Sequence, residues 1–133
     1  MSINTNLQKI IKSSSFKTIE GNYVYTKVRN YPSTTNHFMI SQDKDEITVV
    51  TDENNLGELN LVEKNKDTYK LIALNVSIPF YSVGFLATVS KSIADKGLNV
   101  LIVSTYSKDY ILIEKSCLNK AVESLKKLGL SEK

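Results

Sequence analysis

The hydrophobic pattern is clearest in the second half of the chain. Residues 69–76 (YKLIALNV) are rich in branched and aliphatic side chains, which predicts a strand that Pro79 ends. Ser82 is the expected N-cap of a following helix. In that helix Val83, Leu86, Val89, Ile93 and Ala94 recur at helical spacing, and Gly97 closes it. Residues 99–104 (NVLIVS) form a nearly continuous apolar run, which predicts a strand covered on both faces. After a turn over 105–108, residues 109–113 (DYILI) return as another strand. Ser116 is placed to cap a last helix with Leu118, Ala121, Val122, Leu125 and Leu128 on one face, ended by Gly129.

The first half reads as mostly strand. Gly21-Asn22 suits a hairpin turn between strands at 16–19 and 23–28. Residues 30–36, with Pro32, form a loop. Strands at 37–41 and 46–51 flank a polar turn, Asp52 starts one helical turn, and residues 60–67 are a polar surface connection. Leu7, Ile10 and Ile11 mark a short helix within residues 1–13. Strand, helix, strand, strand, helix lacks the fourth strand of a split ferredoxin-like sandwich, and the first half has strands to spare. The expectation is an α+β fold of two subdomains, residues 1–65 and 66–133, with antiparallel sheets covered by helices. Each half alone would bury too little to fold.

Composition narrows the function classes. The chain has 133 residues and a net charge of +3 with both signs interspersed, so no basic footprint for nucleic acid is present. Cys117 is the single cysteine, which excludes an intrachain disulfide and fits a reducing cytoplasm. No apolar run reaches the roughly 18 residues of a membrane span, and residues 1–15 do not read as a secretory signal. One histidine, His37, and one cysteine far apart leave little for a zinc site or a nucleophile–base pair. Asp43, Asp45 and Glu46 lie in a tight polar turn without EF-hand spacing, which reads as solvated surface. Phosphate-binding loops, nucleophile elbows and zinc-protease signatures are all missing. An enzyme is therefore not expected, and no cofactor is implied.

Three motifs in order carry a family resemblance. They are Asp45-Glu46-Ile47-Thr48-Val49-Val50, Val83-Gly84-Phe85-Leu86-Ala87, and Ser104-Thr105-Tyr106-Ser107-Lys108-Asp109-Tyr110. Together they resemble the ACT domain family, in particular small tandem ACT proteins related to aspartate kinase regulatory domains and to cellular arginine sensors. Ser107 and Lys108 depart from the Asp and Thr of that hairpin pattern. Val83 replaces a Thr, and Tyr69 replaces a common Trp. The resemblance implies amino-acid binding at a strand-to-helix junction between paired units, here in a homodimer.

The residues themselves suit such a ligand. A helix N-terminus presents unpaired N–H groups and partial positive charge, which favour a carboxylate. Ser82, Val83, Gly84 and Phe85 mark that junction. Gly84 admits close approach, or else allows tight helix–sheet packing. Asp109 offers a carboxylate for an ammonium group, or else pairs with Lys108 or Lys91. Ser104 and Thr105 either contact the ligand or hydrogen-bond the hairpin end. The two function classes carried forward are an amino-acid-sensing regulatory module and a ligand-free protein-interaction module.

Overall fold

The computed structural model describes residues 5–77 and 83–133. In chain order they form α1 (Thr5–Lys12), β1 (Ser15–Thr18), β2 (Tyr23–Val28), β3 (Met39–Gln42), β4 (Ile47–Asp52), a 3-10 turn (Glu53–Glu58), β5 (Leu61–Lys64), β6 (Tyr69–Asn75), α2 (Phe85–Ala94), β7 (Leu101–Ser104), β8 (Asp109–Glu114), a second 3-10 turn (Lys115–Cys117), α3 (Leu118–Leu128) and β9 (Ser131–Glu132). The class is α+β. Contacts divide the chain into two units, one of Met1–Ile19 with Lys70–Lys133, the other of Glu20–Tyr69. The division expected from sequence fell between 65 and 66; the contacts instead group the first 19 residues with the C-terminal half.

The reason lies in β1. Its residues pair antiparallel with β6, Phe16 opposite Leu74 and Thr18 opposite Ile72. The sheet of the first unit runs β9, β1, β6, β8, β7. Thus β1 takes the place beside β6 that a split ferredoxin-like unit reserves for its fourth strand. The expected hairpin between β1 and β2 does not form, because β1 pairs β6 and β9. On one face of this sheet Ile72, Leu74, Ile111 and Ile113 pack with Phe85, Val89 and Ile93 of α2 and with Ala121 and Leu125 of α3. Phe16, Leu7 and Ile11 complete that core. Ser14 fastens α1 to the end of β6: its hydroxyl donates to the Ile10 carbonyl at 2.6 Å and accepts the Ser77 N–H at 3.0 Å.

The second unit is an antiparallel sheet ordered β3, β4, β2, β5. Val24, Val28, Val49 and Val50 are buried in it, and the buried Thr26 hydroxyl donates to the Val49 carbonyl at 2.8 Å. Asp43 closes the β3–β4 turn, its carboxylate accepting N–H bonds from Asp45 and Glu46 at 2.8 and 3.0 Å. Asp52 caps the 3-10 turn.

Several sequence expectations are corrected. Strand β5 lies where a surface connection was expected, since all four of its residues are exposed and show no apolar face. Strand β7 has one wet face rather than none, with Ile102 41% exposed. The short 3-10 turn displaces the start of α3 to Leu118, so Ser116 bonds Glu114 rather than capping the helix. His37 sits in a loop, its ring nitrogens 2.8 Å from the Thr34 hydroxyl and 2.9 Å from that of Thr51.

Phe16 is wholly buried, so Phe16→Ala is expected to cost about 3–5 kcal/mol, as large aromatic-to-alanine changes in cores do. Lys27→Ala, on an exposed side chain, should stay within about 0.5 kcal/mol. Urea unfolding of both variants checks that a strand distant in sequence belongs to the core.

Candidate ligand site

The strand-to-helix junction and the β7–β8 hairpin enclose a cavity of about 370 Å³. One wall comes from the end of β6 and the start of α2, with Leu74, Val76, Gly84 and Leu86. The other comes from the hairpin, with Ser104, Thr105, Lys108 and Asp109. Val83 and Tyr106 also line it and are 90% and 89% exposed. Of the residues singled out in sequence, Val83, Gly84, Phe85, Ser104, Thr105 and Asp109 meet at this one cavity. Ser82 falls outside the described residues.

The first wall owes its shape to Gly84. Its φ of 86° lies in the left-handed region, where a side chain costs roughly 1–2 kcal/mol. Gly84 rather than Ser82 is the N-cap of α2, and it supplies no side-chain hydrogen bond to the helix. The helical ladder starts with the Thr88 N–H donating to the Gly84 carbonyl at 2.9 Å. The N–H groups of Phe85, Leu86 and Ala87 belong to the helix's first turn, which has no intrahelical acceptors. Val83 was expected on the buried helix face but precedes the helix, in a turn. A Cβ on Gly84 would meet only Leu7 among the described residues, at an ordinary 3.4 Å. Among the described residues, then, it is the left-handed backbone that calls for glycine here.

The second wall is held by the ladder. Ser104 and Asp109 are its last opposed pair. The Ser104 hydroxyl donates to Asp109 Oδ1 at 2.6 Å. Thr105 closes the turn, its N–H and hydroxyl donating to the Lys108 carbonyl at 2.8 and 3.1 Å. Asp109 forms no ion pair with Lys108 among the described residues, and Lys91 pairs with Asp95 at 2.9 Å instead. Asp109 Oδ2 accordingly has no partner among those residues. Among the described residues, the result is a carboxylate held by a hydroxyl and without an ion pair, across a small cavity from a helix start whose cap residue gives no side-chain bond. That arrangement can receive a group with one positive and one negative end.

Leu74 and Val76 were not singled out in sequence. The signal was available: Leu74 lies near the end of β6 and Val76 just beyond it, where a strand end meets a helix start. Among the described residues no cluster of three or more His, Cys, Asp or Glu could hold a metal, and no helix is long and apolar enough to cross a membrane. Cys117 is half-buried and packs against the core.

Residues 65–127 match the ACT domain family; the motifs at Val83–Ala87 and Ser104–Tyr110 lie within that stretch, and the one at Asp45–Val50 lies outside it. No curated protein matches the sequence closely. The fold is similar to that of a Vibrio cholerae protein of unknown function described as a possible transport protein, at 21% identity and a TM-score of 0.82, covering 93% of this chain and 96% of that one. It is also similar to the aspartate kinase of Clostridium acetobutylicum, at 13% identity and TM-score 0.65, over 96% of this chain but 36% of the kinase. A third likeness is to the regulatory subunit of Thermus thermophilus aspartate kinase, at 7% identity and TM-score 0.58, covering 86% and 95%.

If conformation is what Gly84 supplies, Gly84→Ala should cost about 1–2 kcal/mol. Gly84→Asn should cost less despite its larger side chain, because Asn tolerates left-handed backbone. Thermal unfolding of the two variants decides; a greater loss for Asn would restore the packing explanation.

Proposed function

We propose that this chain is a non-catalytic regulatory protein that binds an amino acid in the cavity between α2 and the β7–β8 hairpin. The observation that carries the reading is Asp109, with one carboxylate oxygen unpartnered among the described residues, lining the same cavity as the start of α2, where Gly84 gives no side-chain cap bond. The α-carboxylate goes to the helix N-terminus and the ammonium to Asp109. The regulatory role follows the ACT domain and the likeness to a regulatory subunit. Val83 and Tyr106, large apolar side chains almost wholly exposed beside the cavity, support a second copy of the chain covering the site. Ligand then favours one arrangement of the two chains, and only differential affinity for the arrangements transmits a signal. The cytoplasm is the compartment that fits.

A second reading, an interaction module without a ligand, draws on Ser107 and Lys108, which depart from the family hairpin, and on the same exposed pair. A thermal-shift screen against the twenty amino acids separates the two. Ligand at a hundred times Kd stabilises the folded state by about 2.7 kcal/mol, which moves the midpoint by several degrees. A flat screen of folded protein favours the second reading.

Two substitutions test the parts. Asp109→Asn keeps the bond to Ser104 and removes the charge. Losing a charged hydrogen bond of about 1.5–3 kcal/mol should weaken binding at least tenfold with the unfolding midpoint of the free protein unchanged. Tyr106→Asp should shift the protein towards monomer in light scattering; an unaltered dimer would remove Tyr106 from the interface.

A further inference from the structure

A second groove, of about 350 Å³, runs between α2 and α3 and shares no lining residue with the first cavity. Its hydroxyls are those of Thr88 and Ser92 on α2 and Ser124 on α3. Thr88 is 6% exposed and Ser124 2%, yet neither hydroxyl oxygen has a hydrogen-bond partner among the described residues. A helical Ser or Thr can bond back to the carbonyl one turn earlier; these two do not. Ser92 does not serve them either, since its hydroxyl donates to the Ser124 carbonyl at 3.5 Å. A buried hydroxyl left without a partner is costly, and native structures keep few of them.

The charges set the sign of what enters. The groove has three lysines, Lys91, Lys96 and Lys127, and one carboxylate, Asp95. Asp95 already holds Lys91 at 2.9 Å. Lys96 and Lys127 form no ion pair among the described residues. Both lie at or just past a helix end, where a cation complements the dipole. That accounts for the lysines but not for the two hydroxyls. Hydroxyl and ammonium donors together suit an anion rich in acceptors. A phosphate group has three such oxygens, enough for both hydroxyls and an ammonium group at once, where a carboxylate has two.

From the unpartnered hydroxyls and the surplus lysines we infer that the groove between α2 and α3 binds a phosphate group. Thr88 and Ser124 turn within their rotamer wells to donate to it, and Lys96 and Lys127 balance its charge. The site is independent of the amino-acid cavity.

Calorimetric titration of the intact chain with inorganic phosphate, at an ionic strength held constant with sodium chloride, tests this. Saturable binding is expected, with acetate several-fold weaker. Glycerol 3-phosphate, titrated alongside, tells an ester from the free ion by which of the two binds tighter. The double variant Thr88→Val, Ser124→Ala removes both donors. It deletes hydroxyls that have no partner, so the free protein should unfold no earlier than the parent. Phosphate should bind it at least ~10-fold more weakly. Absence of saturable binding to the parent would overturn the inference. Undiminished binding by the double variant would also overturn it, by placing the ion on surface lysines or at the start of α2. An unfolding midpoint several degrees lower in that variant would do the same, because the hydroxyls would then be bonded within the protein itself.

Discussion

The first unit depends on the burial of β6 on both faces. Ile72 and Leu74 belong to the helix-covered core, and Leu71 and Ala73, which alternate with them, are buried as well. A strand with no wet face cannot leave its backbone groups to water, so both of its edges must be paired. Strand β8 takes one edge and β1 the other. The second unit is thus inserted in sequence between two strands that lie side by side. Loop-closure entropy rises only slowly with the length enclosed, so such an insertion is thermodynamically cheap. Phe16, delivered by β1, then fills the core opposite Leu74.

The same strand sets the site. Leu74 belongs both to the core and to the cavity wall, which ties the wall's position to the best-packed part of the unit. At the far side of the junction Gly84 turns left-handed and α2 starts without a side-chain cap. Its first N–H groups therefore receive no side-chain bond from the cap residue. The hairpin supplies the opposite charge, and here Ser104 matters more than a cation would. A hydroxyl fixes the Asp109 carboxylate at 2.6 Å without neutralising it, so the carboxylate keeps its attraction for an ammonium group. Lys91, a candidate partner in the sequence, is held by Asp95 one turn along its own helix, an exposed pair of little energetic weight.

Much of the fold was legible because its elements declare themselves locally. The apolar run of β6, the helical spacing through Phe85–Ala94 and Leu118–Leu128, and the polar turn at Asp43 each follow from short-range periodicity and turn chemistry. Strand β5 was illegible because an exposed edge strand has no apolar face to reveal it. The cap of α2 was misplaced because Ser82 carries the stronger local signal, while left-handed backbone at Gly84 shows only in three dimensions. For the site, the residue types and two of its segments were apparent, and the structure gathers six of the seven residues at one cavity. What the sequence by itself determined is most of the elements and their order, short of β5, β9 and the second 3-10 turn, together with the ACT motifs and the absence of catalytic signatures. Only the tertiary structure decided that β1 pairs with β6, that Ser104 rather than a lysine holds Asp109, and that Leu74 and Val76 wall the cavity. Each of these is a pairing between residues distant along the chain or a direction in space, and no local periodicity encodes either.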